Sequence, residues 1–360
     1  MKASGLLLPF LLAPLAASVA AEEAPWGFYA DGRMPDETVL FSSDVEPRTA
    51  TLLFKPTKIR SVTSADGSTV FEEGVDYQVD LEKGILSLTP ESRIPCPQLY
   101  GGEGPKYGRF QNRKGEGMLF GEGDLFHSLQ IRVDYDHDGD EWDGEPFVPE
   151  NRASDFSGLH RKLAKKEPLH LVLIGDSISV GYNASGFIKA EPGQPSFGEQ
   201  VAEALRRKTE VAFDNVSRAG ATASWGLKQL DRVESPDLVM IAFGMNDGRK
   251  PGNTAGYEKN IRTMITRLRG KHPEVEIVLV ANMLPNEEFS PHEGHFANLE
   301  ALNRVAGDFD KVAVADVMSV TAAMLERKKF ADICGNHVNH PNDFIHRLYA
   351  SVILRTLGAG

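Results

Sequence analysis

The stretch Leu171-Val172-Leu173-Ile174-Gly175-Asp176-Ser177-Ile178-Ser179 limits what this chain can fold into more than any other. A continuous run of Leu, Val and Ile closed by glycine is the pattern of a parallel strand buried on both faces. The turn beyond such a strand leaves the sheet at its carboxyl edge, where open α/β sheets hold their ligands. Ser177 then sits near the start of the following helix, where unpaired N–H groups and the helix dipole favour negative charge. Taken alone, Gly-Asp-Ser is also the pattern of a tight turn with a capping serine.

Strand and helix periods alternate from here on. Apolar runs at 211–216, 238–243, 277–281 and 312–317 read as further strands. Between them, Tyr257, Ile261, Met264, Ile265 and Leu268 form a helical stripe. Ser196-Phe197-Gly198-Glu199 reads as a capping box opening a helix that turns Phe197, Val201 and Leu205 inward. Phe296, Leu299 and Leu302 line another helix. A last one opens at Pro341 and buries Ile345, Leu348, Val352 and Ile353. The alternation predicts a parallel sheet with helices on both faces, filling 151–360.

The preceding part reads differently. Residues 22–150 predict an all-β sandwich or jelly roll, with strands at 49–54, 60–63, 68–71, 75–80, 85–88 and 129–135. Asp66-Gly67 and Lys83-Gly84 mark hairpin turns. Residues 100–117, rich in glycine and charge, read as a long surface loop. Residues 151–166 read as a joining helix with Phe156, Leu159 and Leu163 on one face, ended by Pro168.

At the N-terminus, Lys2, an apolar run over 6–15 and small residues through Ala21 predict a cleaved secretory signal over 1–21, hence a secreted or periplasmic protein. The run is too short to span a bilayer comfortably, and no later stretch reads as a membrane span. A net charge of -12 argues against nucleic acid, since little here would neutralise phosphates. Cys96 and Cys334 are too few for a disulfide framework, and a single bridge between the halves is left open. The acidic run beginning at Asp134 includes Asp-x-Asp-x-Asp from Asp136. It lacks glycine at the sixth position and glutamate at the twelfth, so it reads as a solvated loop and not an EF-hand. No histidine–carboxylate cluster has metal-ligand spacing, so neither a metal nor an organic cofactor is expected.

Three further blocks follow strands or precede a helix, as Gly175-Asp176-Ser177 does: Asn215-Val216-Ser217-Arg218-Ala219-Gly220, Gly244-Met245-Asn246-Asp247 and Asn339-His340-Pro341. Together they hold the parts acyl transfer needs. Ser177 is a nucleophile candidate and His340 a base that titrates near neutrality. The Gly220 N–H, the Asn246 side chain and the Ser177 N–H are candidate oxyanion donors. Asp176, Asn215 and Asp247 read as turn supports, and Trp225 either lines the pocket or packs.

This ordered set resembles the SGNH (GDSL-type) hydrolases over about 168–357. The resemblance implies a flavodoxin-like doubly wound sheet and assigns the serine, glycine, asparagine and histidine roles to the same four positions. The family usually carries an aspartate three residues before the histidine; here that position is His337. The orienting group is then Asp332, Asp343, a main-chain carbonyl of the 334–339 loop, or nothing. A serine–histidine dyad oriented by such a carbonyl is expected, with Asp343 better explained as a helix cap. The two-domain arrangement resembles bacterial carbohydrate esterases of the superfamily. It implies an exported serine esterase acting on short-chain, acetyl esters of carbohydrate or another small ester. A lipase or thioesterase of the same superfamily and a non-catalytic glycan-binding protein are the alternatives.

Overall fold

The computed structural model describes residues 32–139, 148–249 and 252–360. The proposed signal at 1–21 and the end of the acidic run lie outside the described residues. The first half contributes two three-stranded antiparallel sheets. One has the order β1 (Arg33–Val39), β6 (Ile131–His137), β3 (Pro56–Ser64). The other has the order β2 (Thr49–Thr51), β5 (Ile85–Leu88), β4 (Tyr77–Asp80). A short helix, α1 (Leu125–Leu129), leads into β6.

The strand expected over 49–54 stops at Thr51. Beyond it, the Leu53 and Phe54 N–H groups donate to the Glu37 carboxylate and the Tyr135 hydroxyl instead of to a neighbouring strand. The hairpin at Asp66-Gly67 forms, but its return arm keeps a single bridge, Thr63 to Val70. The acidic run does not begin as a loop. Asp134 and Asp136 lie on β6, paired with Arg33 and Arg60.

After the joining helix α2 (Ser157–Lys165), five parallel strands run in the order β11-β10-β9-β7-β8. They are β7 (Leu169–Gly175), β8 (Val211–Asn215), β9 (Leu238–Ala242), β10 (Glu276–Ala281) and β11 (Val312–Asp316). Counted from β7, this is the order 2-1-3-4-5, which reverses direction between β7 and β9; ligands of such sheets bind outside the strand ends at that point. Short helices α3 (Ser177–Val180) and α4 (Ser185–Ile188) follow β7, α5 (Phe197–Arg206) precedes β8, and α6 (Ala223–Gly226) follows β8. The longer helices are α7 (Thr254–Lys271), α8 (Glu293–Gly307), α9 (Val317–Met324) and α11 (Asp343–Thr356), with a single turn, α10 (Phe330–Ile333), before the last.

Alternate residues of β7 face opposite layers. Leu171 and Leu173 pack with Phe197, Val201, Ile345 and Val352 on one side. Val172 and Ile174 pack with Ile261, Ile265 and Leu302 on the other. Two helical expectations change. Ser196 precedes α5 without a side-chain capping bond, and Glu199 pairs with Arg206. Phe296 lies 41% exposed, and α8 buries His295 and Asn298 beside Leu299 and Leu302.

The two halves share one apolar core, running from Met34 and Val39 through Tyr135 to Phe344 and Leu357. A wholly buried ionic cluster crosses between them. The Lys328 ammonium pairs with Glu37 and lies 3.7 Å from Asp332. Asp332 also accepts from the Leu40 N–H at 2.7 Å. Cys96 and Cys334 are both free thiols, so no bridge joins the halves.

Taking one partner from such a cluster leaves buried charge without compensation. Lys328→Met should lose about 3–5 kcal/mol in urea unfolding at neutral pH. Adding Glu37→Gln and Asp332→Asn should recover part of it, because the three groups are coupled. A loss under about 1 kcal/mol for Lys328→Met would mean the cluster does not hold the halves together.

Candidate active site

The turn after β7 is built by close approach. A Cβ on Gly175 would lie 2.1 Å from the Ser179 hydroxyl and 2.5 Å from the Ala242 carbonyl oxygen. Only glycine lets the turn press this closely against β9. Asp176 then caps α3, accepting from the Ile178 N–H at 3.0 Å, and Ser177 becomes the first residue of that turn of helix. Asn215 braces it from β8, donating to the Ser179 carbonyl at 2.7 Å and accepting from the Ser217 N–H at 3.1 Å. Asp247 accepts from the Ala223 N–H at 3.2 Å. The three expected turn supports therefore act as such. Trp225 packs against the core on the α7 side, with the Arg218 guanidinium 5.8 Å over its ring.

The four widely spaced candidates meet in one pocket of about 230 Å³, lined by Ser177, Gly220, Asn246 and His340. The Ser177 hydroxyl donates to His340 Nε2 at 2.9 Å. Gly220 has φ +71°, and a Cβ there would meet nothing within 4 Å, so its glycine serves backbone conformation. The Gly220 and Ser177 N–H groups have no protein acceptor among the described residues. Asn246 donates one amide hydrogen to the Ala221 carbonyl at 2.9 Å, which aims the side chain and leaves the other hydrogen for the pocket.

The far nitrogen of the imidazole finds neither expected aspartate. Asp332 is spent in the buried cluster around Lys328 and on the Leu40 and Lys329 N–H groups. Asp343 accepts from the Ser185 N–H at 2.7 Å, at the start of α11. No main-chain carbonyl of the 334–339 loop takes up Nδ1 either, against the expected dyad. Within 3.1 Å of Nδ1 lie Glu122 Oε2, Asn183 Oδ1 and Asn336 Nδ2. Glu122 escaped the sequence reading because it lies 218 residues from His340, just past the stretch taken for a surface loop. That stretch also supplies a pocket wall, with Arg109 resting over the Phe110 and Phe120 rings, and Arg249 over Phe289 forms another from the C-terminal half.

His337 turns away from the site. It takes φ +67°, its Nδ1 donates to the Leu119 carbonyl at 3.1 Å, and its Nε2 accepts from the Tyr100 hydroxyl at 3.2 Å. Burial pushes its pKa down to about 4, so the ring stays neutral. Burial raises the Cys334 thiol to about 12, which removes it as a nucleophile.

A parallel sheet with a serine–histidine pair and unclaimed donors at its carboxyl edge has the parts that acyl transfer needs. Residues 173–348 match the GDSL-like Lipase/Acylhydrolase family, so this part of the chain is a GDSL-type lipase/acylhydrolase domain. A GDSL esterase/lipase of Arabidopsis thaliana is 27% identical over 166 residues, covering 40% of this chain and 64% of that protein. An arylesterase of Vibrio mimicus is 28% identical over 120 residues, covering 32% of this chain and 56% of that protein. The chain thus spans less than two thirds of the length of the curated relatives it matches. Among solved structures, a two-domain esterase active on acetylated mannans aligns with TM-score 0.46 and 18% identity, over 58% of this chain and 54% of that one. Among the described residues, no helix is long and apolar enough to cross a membrane.

Burial raises the Asp176 carboxyl to about 7, and its Oδ2 lies 3.3 Å from the Asn282 amide, whose own oxygen is buried without a partner. A protonated Asp176 can donate to that oxygen once the amide turns over. An acid held at about 7 when folded and about 4 when unfolded favours the fold while protonated, and ionising it costs stability as pH rises between those values. The melting-temperature advantage of Asp176→Asn over wild type should therefore grow by at least about 3 °C between pH 5 and pH 8.5. An equal difference at both pH values in calorimetry would show that Asp176 does not titrate in this window.

Proposed function

We propose that this protein is an exported serine esterase that removes short acyl groups, acetyl above all, from carbohydrate through a covalent acyl-enzyme. In this reading residues 1–21 are a secretory signal, 22–150 a β-sandwich domain and 151–360 the hydrolase domain. The observation that carries it is the 2.9 Å Ser177–His340 hydrogen bond in a pocket that also holds Gly220 and Asn246.

The Ser177 hydroxyl adds to the ester carbonyl while His340 Nε2 takes its proton. The new oxyanion is held by the Ser177 and Gly220 N–H groups and the spare hydrogen of the Asn246 amide. The intermediate collapses as His340 returns the proton to the departing sugar oxygen, leaving an acyl-serine. Water, deprotonated by the same imidazole, then releases the acid and restores Ser177.

Two features support a small acyl group on a hydroxylated carrier. The pocket is small, and its walls carry the exposed guanidinium groups of Arg109 and Arg249 seated on phenylalanine rings. Such a rim offers rigid hydrogen-bond donors to hydroxyls, where a long acyl chain would need a continuous apolar groove.

Ser177→Ala and His340→Ala should each lose about 10³-fold or more in hydrolysis of an aryl acetate while folding normally. Asn246→Ala should lower kcat by roughly 10²–10³-fold, as loss of one oxyanion donor does. Ordinary activity in either of the first two variants, or an effect of the third confined to KM, would overturn these roles. Along a series of aryl esters, kcat/KM should be highest for acetate. A maximum at eight carbons or more would favour a lipase.

A further inference from the structure

We propose that Glu122, delivered from the N-terminal half, is the carboxylate that orients His340 and stabilises its imidazolium, standing in for the aspartate that this chain has replaced by His337. The proposal rests on the hydrolase reading above and adds the group that reading lacks.

The hydrogen-bond network around His340 assigns the proton. Nε2 accepts from Ser177, so in the resting neutral ring Nδ1 carries the hydrogen. The Asn336 oxygen is fixed by three backbone donors, the N–H groups of Val338, Asn339 and His340. Its nitrogen is therefore a donor and cannot accept from Nδ1. That nitrogen donates to Glu122 Oε1 at 3.2 Å instead, tying the carboxylate to the loop that carries His340. Asn183 donates to the Gly123 and Gly335 carbonyls, so its oxygen also faces Nδ1. Two acceptors remain, and Glu122 is the charged one. A neutral amide can fix the tautomer, but only an anion also steadies the positive charge that His340 acquires.

The field agrees with the geometry. Burial pushes the Glu122 carboxyl up, but the hydrogen bond and charge of His340 and the Asn336 amide outweigh it and leave the group below the usual range. Arg109, in the same pocket, lowers it further. The other charged or titratable groups around the imidazole are Arg249 on the pocket wall, Tyr182 with its ring edge on His340, and His346, which lies within the charge field of Asp343 and His340. Among the described residues, no carboxylate besides Glu122 makes an ion pair with His340.

The segment bearing Glu122 is held in place by His337 itself. Its ring binds the Leu119 carbonyl and the Tyr100 hydroxyl and stacks on Phe126. Leu99, Leu119 and Phe126 form their own small core with Leu40 and Ala331. The position that would ordinarily provide the acid now docks the chain that brings one.

The side chain of Glu122 is 38% exposed, so water screens part of its effect. A buried triad carboxylate is worth about 10⁴-fold in kcat, and Glu122→Gln should cost less, between about 10- and 10³-fold, with KM changed less than twofold. Removing the anion should also move the acid limb of kcat/KM to lower pH, because the imidazolium loses its partner. Glu122→Asp should keep the acid limb where wild type has it, even at reduced kcat. The assay is aryl acetate hydrolysis by the full chain from pH 5 to 9, with melting temperatures recorded and Ser177→Ala run alongside. Wild-type kcat and an unmoved acid limb in Glu122→Gln, with Ser177→Ala inactive, would overturn the proposal and leave the hydrolase reading standing. An acid limb displaced equally in Glu122→Asp and Glu122→Gln would also overturn it. Activity retained in Ser177→Ala would overturn the hydrolase reading itself.

Discussion

The His340 imidazole has two nitrogens to place, and the proposed role as base needs both of them held. Nε2 must meet Ser177, which the β7 turn sets at the sheet's carboxyl edge. Nδ1 must meet an acceptor, or the proton sits on the wrong side of the ring. The 334–340 loop is shaped for this. The side-chain oxygen of Asn336 gathers three consecutive N–H groups. The Gly335 N–H donates to the His340 carbonyl at 2.8 Å, and Cys334 bridges to Pro341. The loop closes on itself and leaves the ring one open side, toward Glu122 and Asn183.

That requirement makes the N-terminal half part of the site. The antiparallel sheets share an apolar core with the parallel sheet, and the Glu37–Lys328–Asp332 cluster ties β1 to the turn before α10. Arg347 on α11 adds donations to the Pro35 and Asp36 carbonyls. Buried charge of this kind is weak evidence for net stability, but it strongly penalises misplacement, since each group is costly without its partners. Such contacts suit a joint that, in the proposed arrangement, keeps Glu122 in register with the His340 ring.

The fold is legible in the sequence where a signal is local. Strand–helix alternation marked β7 to β11, and the apolar stripe of α7 is buried at all five positions read from it. Ser177, Gly220, Asn246 and His340 could be picked out because each follows or precedes an element that declares itself by period. Glu122 had no such signal. Its meaning comes from a contact across 218 residues, and nothing in a glutamate among glycines marks it. Asp332 and Asp343 lie near His340 in sequence, but proximity along the chain says little where a loop folds back. The shortened strand at Thr51 failed for a related reason: the side chains of Glu37 and Tyr135 took the backbone donors that a ladder would have used.

The spread of the site along the chain has a consequence for biosynthesis. Its walls and working groups run from Arg109 to His340, with the base coming after the last strand of the sheet. A ribosome that has made the β-rich half, and even all of β7 to β9, has produced a serine with no partner. In the proposed mechanism Ser177 gains its base only once the loop around Asn336 has been made and has settled against Tyr100 and Leu119. Assembly order would then tie that chemistry to molecules in which the widely separated pocket residues, from Arg109 to His340, have already met.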